Sequence, residues 1–424
     1  MTTLIVTGRK PISGIYTPTG NKNAALPALA ACLLTEEPVT LHNIPLIKDV
    51  EVMLELLASL GVAIERKDRS VTLNARTVTP VKLDRELCRR VRASILLAGP
   101  LVARAGRAEF YPPGGDVIGR RRLDTHFAGL QALGVTVKAT DTLLFRGKKL
   151  AGADLLLDEA SVTATENIIM AAALASGSTT IYNAACEPHV QDLCRLLEAM
   201  GAGFEGIGTN RLVVHGKKKL RGAEYTIGPD YIEMGSFMAA SLVTGGELSI
   251  HGVTPDHTLE VVRRAFSKLG ARWQQRADSL HIPARKRLRI TNDFGSAIPK
   301  VEDGIWPAFP SDLMSVAIVL ATQSQGSVLF FEKLFESRMY FVDRLIEMGA
   351  RIVQCDPHRV LVQGPSRLHG IHMSSPDIRA GMSMLIAALS AKGTSVIDNA
   401  EVIDRGYEAI DDRLRALGAE IERR

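Results

Sequence analysis

Six times along the chain a helical stretch runs out into a Leu/Met-Gly-Ala/Val tripeptide, and this repetition constrains the fold more than any other feature. The tripeptides are Leu60-Gly61-Val62, Leu133-Gly134-Val135, Met200-Gly201-Ala202, Leu269-Gly270-Ala271, Met348-Gly349-Ala350 and Leu417-Gly418-Ala419. Their glycines lie 73, 67, 69, 79 and 69 residues apart, so six units of one kind account for all 424 residues. Each glycine stands where a helix C-terminus calls for the left-handed conformation. The residues that follow, as at 63–66 and 420–423, alternate apolar and polar in the manner of a half-buried strand.

The first half of each unit repeats as well. Stretches rich in small apolar residues at 24–34, 94–102, 165–175, 235–243, 312–321 and 381–389 are apolar almost all round, which predicts helices inside a domain rather than on its surface. A turn and a short strand follow each, at 39–41, 108–111, 179–182, 247–250, 328–330 and 395–397. The unit reads β-α-β-α-β-β, with one buried and one outer helix. Units of about 70 residues exceed those of stacked arrays, whereas three together make a plausible domain. The sequence therefore predicts an α/β (α+β) fold of two three-unit domains, with the change-over near Gly228-Pro229-Asp230. The opening strand at 4–6 fits either domain on periodicity alone.

Composition removes the competing classes. With 46% hydrophobic and 23% charged residues the chain can build large cores, and no apolar run approaches the roughly 20 residues of a membrane span. Five cysteines (Cys32, Cys88, Cys186, Cys194, Cys355) form neither a CxxC pair nor a zinc-ligand spacing, which points to a reducing, cytoplasmic compartment. A net charge of +5 is small for this length and argues against a nucleic-acid binder.

Local charge is more informative. Lys22-Asn23 opens the first buried helix, Arg92 precedes the second, Asp312 opens the fifth, and Asp377 with Arg379 precedes the sixth. A lysine or arginine at a helix N-terminus opposes the helix dipole. Taken singly, such a charge reads as a solvated helix end. At matching points of a repeat, these residues read as a cationic cleft for a small anion. The segment 112–121, with three glycines around Asp116 and arginines at its end, reads either as a glycine turn or as a mobile lid over that ligand. Ile403-Asp404-Arg405-Gly406 repeats the arginine at a helix entry. There is no GxxxxGK[ST], strand-to-helix GxGxxG, HExxH or Gly-x-Ser-x-Gly.

TGNKNAALP (19–27), VRASILLAGPLVARAG (91–106), PPGGDVIGRR (112–121), FPSDLM (309–314), FESRM (335–339), PDIRAGMS (376–383) and IDRGYE (403–408) are similar, in order, to the UDP-N-acetylglucosamine 1-carboxyvinyltransferases of the enolpyruvyl transferase family. The resemblance runs from about residue 11 to the C-terminus. It implies two inside-out α/β barrels: residues 22–229, and residues 1–21 with 230–424, the active site lying in the cleft between them. The related 5-enolpyruvylshikimate-3-phosphate synthases carry Ser-Lys-Ser where this chain has Asn21-Lys22-Asn23, which disfavours the shikimate reading.

The resemblance also implies the chemistry: transfer of the enolpyruvyl group of phosphoenolpyruvate to the 3-hydroxyl of UDP-N-acetylglucosamine, with release of phosphate, in peptidoglycan precursor synthesis. Carried over by motif, Lys22, Arg121 and Arg405 hold phosphoenolpyruvate, with Arg92 and Arg379 adding to the field. Asp312 takes the sugar hydroxyl proton, Asp377 shapes the site, and Asp116 is the proton donor. Asn23, Arg121, Arg122, Leu123, Asp124, Thr125, Ser161 and Val162 lie along the nucleotide-sugar, Arg338 matches a family arginine near the domain interface, and Asp312, Leu334 and Arg338 count among the substrate-binding residues. No metal, cofactor, nucleic acid or membrane is implied, and the expected state is a monomer or weak homo-oligomer.

Four positions depart from the family pattern. Asp116 stands for the usual cysteine, so the proton donor has a reference pKa of about 3.9 rather than about 8.5. A carboxyl group is also a poor target for the epoxide fosfomycin, which alkylates the cysteine. Glu159 replaces a lysine, and Cys186 and Tyr231 replace arginines, so positive charge beside the nucleotide is lost. These changes keep two alternatives open: a different nucleotide or sugar acceptor, and a non-catalytic nucleotide-sugar-binding paralogue.

Overall fold

The computed structural model describes residues 2–79, 81–116, 118–253, 257–284 and 287–424. All six tripeptide glycines end helices in the left-handed region, with φ between +88° and +105°. The helices they end are Lys48–Ser59, Asp124–Ala132, Pro188–Ala199, His257–Lys268, Val342–Glu347 and Ile410–Ala416. The apolar half-repeats form a second set: Lys22–Ala31, Ala98–Ala105, Val162–Ala172, Tyr231–Thr244, Met314–Thr322 and Ile378–Ser390.

The chain divides into two units, each with its own core. Gly20–Asp116 and Arg121–Gly228 form the inserted unit. Met1–Thr19, Val117–Arg120 and Pro229–Arg424 form the terminal unit. Each unit has three separate sheets with the buried helices inside, so the order of a barrel is turned inside out. In the inserted unit Val39–His42 pairs parallel with Ala223–Thr226 and antiparallel with Ser70–Asn74. The last strand of that unit thus supplies the opening strand of its first repeat. In the terminal unit Leu4–Thr7 lies between Thr394–Asp398 and Glu420–Arg423, antiparallel to both. That strand completes the sixth repeat from the other end of the chain.

Two local expectations change. The stretch 94–102 is not one helix: Arg92–Leu97 is 3-10 and only Ala98–Ala105 is α-helical. Asn167 explains the break. Its Oδ1 accepts from Gly99 N at 2.7 Å, and its Nδ2 donates to Ile95 O at 2.7 Å, occupying the two groups that an α-helical bond would have joined. The strand Ala63–Lys67 is mostly exposed rather than half-buried, because it is the outer strand of its sheet.

Candidate active site

In the inserted unit Lys22 occupies the first turn of helix Lys22–Ala31 yet is only 8% exposed. Asn21 caps that helix, its side chain accepting from Asn23 N and Ala24 N. The lysine is tolerated there because Asp49, itself 3% exposed, lies 2.7 Å from its Nζ. Arg92 begins the 3-10 segment, and its Nη2 donates to the carbonyls of Arg121 (2.7 Å) and Arg122 (3.3 Å). Burial lowers the pKa of Arg92 to about 10, repulsion from Arg121 adds to this, and Glu159 opposes it. Arg92 thereby orders the backbone of the arginine segment. Arg122 extends towards Asp158 (3.6 Å) and Asp124 (3.8 Å), and Thr125 Oγ1 donates to Asp158 Oδ1 at 2.8 Å. Ser161 precedes helix Val162–Ala172, and its carbonyl accepts from Thr165 Oγ1.

Asp116 is half-buried at the end of the irregular segment 111–116. Two glycines lay that segment on the backbone of residues 88–92. Gly114 N donates to Cys88 O at 3.1 Å, and a Cβ at Gly114 would meet Arg89 O at 1.9 Å. Gly115 has φ +105° and abuts Arg92. Substitution at either forces the segment off its seat. The next residue, Val117, lies outside the described residues.

In the terminal unit three predicted residues meet. Asp312 stands in the turn Ser311–Leu313 ahead of helix Met314–Thr322. Arg338, 3% exposed, donates from Nη2 to Asp312 Oδ1 at 2.9 Å, while Arg379 donates from Nη2 and Nε to Oδ2 at 2.8 and 3.1 Å. Burial works against the charge of Arg379, but Asp312, Tyr407 and Asp230 overcome it and hold its pKa well above the usual arginine value. Asp377 caps helix Ile378–Ser390, its Oδ1 accepting from Arg379 N and Ala380 N at 2.8 and 2.9 Å, so it fixes the backbone that carries Arg379. Tyr407, beneath the Arg379 guanidinium at 5.5 Å, follows Arg405 by two residues. Arg405 ends the short 3-10 segment Ala400–Arg405 and is half-buried, and Leu334 is 43% exposed. Residues 118–120 also belong to this unit: Arg120 N donates to Glu336 Oε2 and Ser337 N to Ile118 O, both at 3.1 Å.

A family model described as EPSP synthase (3-phosphoshikimate 1-carboxyvinyltransferase) matches residues 6–414. The chain belongs to the EPSP synthase family. Within that family it is 56% identical over 420 residues to the UDP-N-acetylglucosamine 1-carboxyvinyltransferase of Bradyrhizobium diazoefficiens, covering 99% of this chain and 97% of the relative. It is 52% identical over 419 residues to the enzyme of the same name from Treponema denticola, covering 99% and 98%. Among solved structures, the enolpyruvyl transferase NikO from Streptomyces tendae matches with a TM-score of 0.89 at 24% identity, covering 100% of this chain and 98% of that one. EPSP synthase from Acinetobacter baumannii gives 0.77 at 18%, covering 100% and 99%. These two likenesses concern the fold.

As a member of the EPSP synthase family, the chain shows how its unusual positions are housed. Glu159 acts on Arg92, so this carboxylate serves an arginine of the same unit. Burial, with Glu187 adding, pushes the Cys186 thiol up to about 11, so it is a neutral group at physiological pH. Tyr231 is buried near Trp306, with ring centroids 6.2 Å apart. Four supporting residues went unnoticed in the sequence: Asp49, Asp158, Ser311 and Tyr407. Asp49, Asp158 and Ser311 are of types common at helix starts or in loops, Tyr407 is a buried aromatic of the core, and only its three-dimensional neighbour gives each its meaning. Among the described residues no group of three His, Cys, Asp or Glu side chains is placed to hold a metal ion, and no helix is long and apolar enough to cross a membrane.

Proposed function

We propose that the chain transfers the enolpyruvyl group of phosphoenolpyruvate to the 3-hydroxyl of UDP-N-acetylglucosamine and releases phosphate, the first committed step of peptidoglycan precursor synthesis. The observation that carries this reading is the 56% identity, over nearly the whole length of both chains, to a carboxyvinyltransferase that bears that name. The charged residues gathered within each unit support it. Lys22, Arg121 and Arg405 are the proposed ligands of phosphoenolpyruvate, with Arg92 and Arg379 contributing field. Asn23, Arg121, Arg122, Leu123, Asp124, Thr125, Ser161, Val162, Leu334 and Arg338 are the proposed contacts of the nucleotide-sugar.

The chemistry has two stages. In the addition, Asp116 gives a proton to the methylene carbon of phosphoenolpyruvate. The sugar oxygen bonds to the adjacent carbon as Asp312 takes the hydroxyl proton. In the elimination, the new methyl group returns a proton to the Asp116 carboxylate, its C–H pair forms the new double bond, and phosphate departs with the C–O bonding pair while Asp312 gives up its proton to the departing phosphate. Arginine and lysine offset the charge of the phosphate and carboxylate throughout. Asp377 keeps Arg379 and its helix in place across both stages. The reading places the protein in the cytoplasm, where both substrates occur, as a monomer or weak homo-oligomer.

The test is phosphate release from phosphoenolpyruvate by the purified protein, with and without UDP-N-acetylglucosamine, from about pH 5 to 9. Release that depends on the sugar-nucleotide is expected. Release only with another acceptor, or none at any pH, would overturn the proposal.

A further inference from the structure

Two carboxyl groups in the terminal unit have no place in the chemistry above. Asp303 follows strand Lys300–Glu302 and Glu332 follows strand Ser324–Phe331, and these strands pair in parallel, which sets the two residues side by side. Glu332 is 0% exposed and Asp303 1%. Glu332 accepts from Ser311 Oγ at 2.9 and 3.0 Å, from Phe335 N at 3.1 Å and from Leu334 N at 3.3 Å. Asp303 Oδ1 accepts from Lys333 N. Asp303 Oδ2 is buried, and no N–H or hydroxyl among the described residues reaches it, while the Asp303 and Glu332 carboxyl groups are hydrogen-bonding neighbours. Two ionised carboxylates cannot face one another in such a pocket, and one proton between them satisfies the otherwise orphaned oxygen.

We propose that Asp303 and Glu332 share a proton and act as a positioning pair for Asp312. The proposal rests on the reading of Asp312 as the group that takes the hydroxyl proton. Two paths lead from the pair to it. Ser311, holding Glu332, accepts from Arg338 Nε at 3.3 Å, and Arg338 Nη2 donates to Asp312. Glu332 also fixes the turn that carries Phe335, whose ring lies 5.2 Å below the Arg338 guanidinium. The same turn presents Leu334, a proposed nucleotide-sugar contact.

Burial pushes the Glu332 carboxyl up to about 9, the hydrogen bond and charge of Asp303 add to the shift, and Arg338 opposes it. The other charged neighbours are turned elsewhere. Lys333 Nζ pairs with Glu302 at 3.1 Å, His358 Nδ1 bonds the backbone carbonyl of Glu332, and Asp312 lies beyond Arg338. Glutamate in the unfolded chain titrates near 4.5. The stability due to the shared proton is therefore complete below that value and is lost as pH rises through about 9.

Steady-state kinetics on the full chain, with separate kcat and KM, test the idea. Glu332→Ala is expected to lower kcat by about tenfold to a hundredfold, with KM for phosphoenolpyruvate within about threefold, as for a group that aligns without touching substrate. Glu332→Gln, whose amide still donates to Asp303, should recover most of kcat near neutrality. It should also lack the part of the alkaline decline centred near pH 9. Ser311→Ala leaves the pair intact, cuts one path, and should lower kcat by about tenfold; it serves if Glu332→Ala does not fold. An unchanged kcat in folded Glu332→Ala or Ser311→Ala, or identical pH profiles for Glu332→Gln and wild type, would overturn the proposal. Infrared difference spectra of wild type against Glu332→Gln keep the two readings apart. A protonated-carboxyl band at neutral pH supports the shared proton even if turnover with UDP-N-acetylglucosamine fails, and its absence refutes it.

Discussion

Lys22 and Asp49 show how a single charge placed against a helix dipole is made stable. Burying an ammonium group without a partner costs several kcal/mol, and the carboxylate 2.7 Å away offsets this. Asp49→Asn removes the compensating charge while keeping the shape. Urea denaturation should register a loss of about 3 kcal/mol, since breaking a buried pair leaves its partner's charge in the interior; a change below about 1 kcal/mol would mean that water reaches Lys22 on relaxation. Asp116 gives a second prediction. Fosfomycin alkylates a thiolate far more readily than a carboxyl group, so the wild-type enzyme should keep its activity under stoichiometric treatment. Asp116→Cys should become inactivated with a covalent adduct detectable by mass spectrometry. An adduct on Asp116 itself would contradict this. Lys22, Arg92 and Arg379 stood out in the sequence because cations at the mouths of apolar helices oppose the helix dipole. Asp49 did not, because an acidic residue in the first turn of an amphipathic helix is an ordinary, stabilising choice.

At the scale of the element, the buried helices were predictable from their all-round apolarity, but not the device that joins two of them. Asn167 sits in helix Val162–Ala172 and reaches into the ladder of its neighbour, and its remaining N–H donates to His126 Nδ1 at 3.0 Å. That bond assigns the proton of a neutral imidazole to Nε2, which faces Thr163 Oγ1 at 3.1 Å. Burial, reinforced by Arg92, lowers the His126 pKa to about 3. The sign follows from linkage. The unfolded histidine binds a proton below about pH 6.5 and the folded one does not, so stability is present above that pH and is lost as pH falls towards about 3. Between pH 7 and 5 this one residue should account for about 2 kcal/mol of lost unfolding free energy. The imidazole signal of His126 in NMR spectra should not titrate over that range, and His126→Gln should show a correspondingly smaller decline. A normal titration near pH 6.5 would refute the assignment. The sequence read 94–102 as one helix, because the partner 68 residues away that breaks it had no local signature.

For the whole molecule, the glycine period of about 70 residues is a folding instruction that the chain executes in six copies, with the ends of the repeats exchanged. The period could be read directly because each copy needs the same left-handed cap. Periodicity could not show the exchange, because residues 4–6 carry no more than a strand's alternation, and only the family resemblance grouped residues 1–21 with 230–424. Leu4–Thr7 occupies an inner position of its sheet, with Leu4 and Val6 fully buried, although it is separated in sequence from the strands on either side by nearly the full chain. Deleting residues 2–8 therefore removes two buried aliphatic side chains, each worth about 2 kcal/mol, together with the hydrogen bonds of both flanking strands. The inserted unit draws every strand of its three sheets from its own residues, including Ala223–Thr226. Hydrogen exchange read by mass spectrometry should consequently show lost protection at Thr394–Asp398 and Glu420–Arg423 in the truncated chain. The strands Val39–His42 and Ser178–Tyr182 should exchange as in wild type. Equal loss in both sets would mean that the two units fold as one cooperative body, and that the exchanged strand secures more than the sheet it completes.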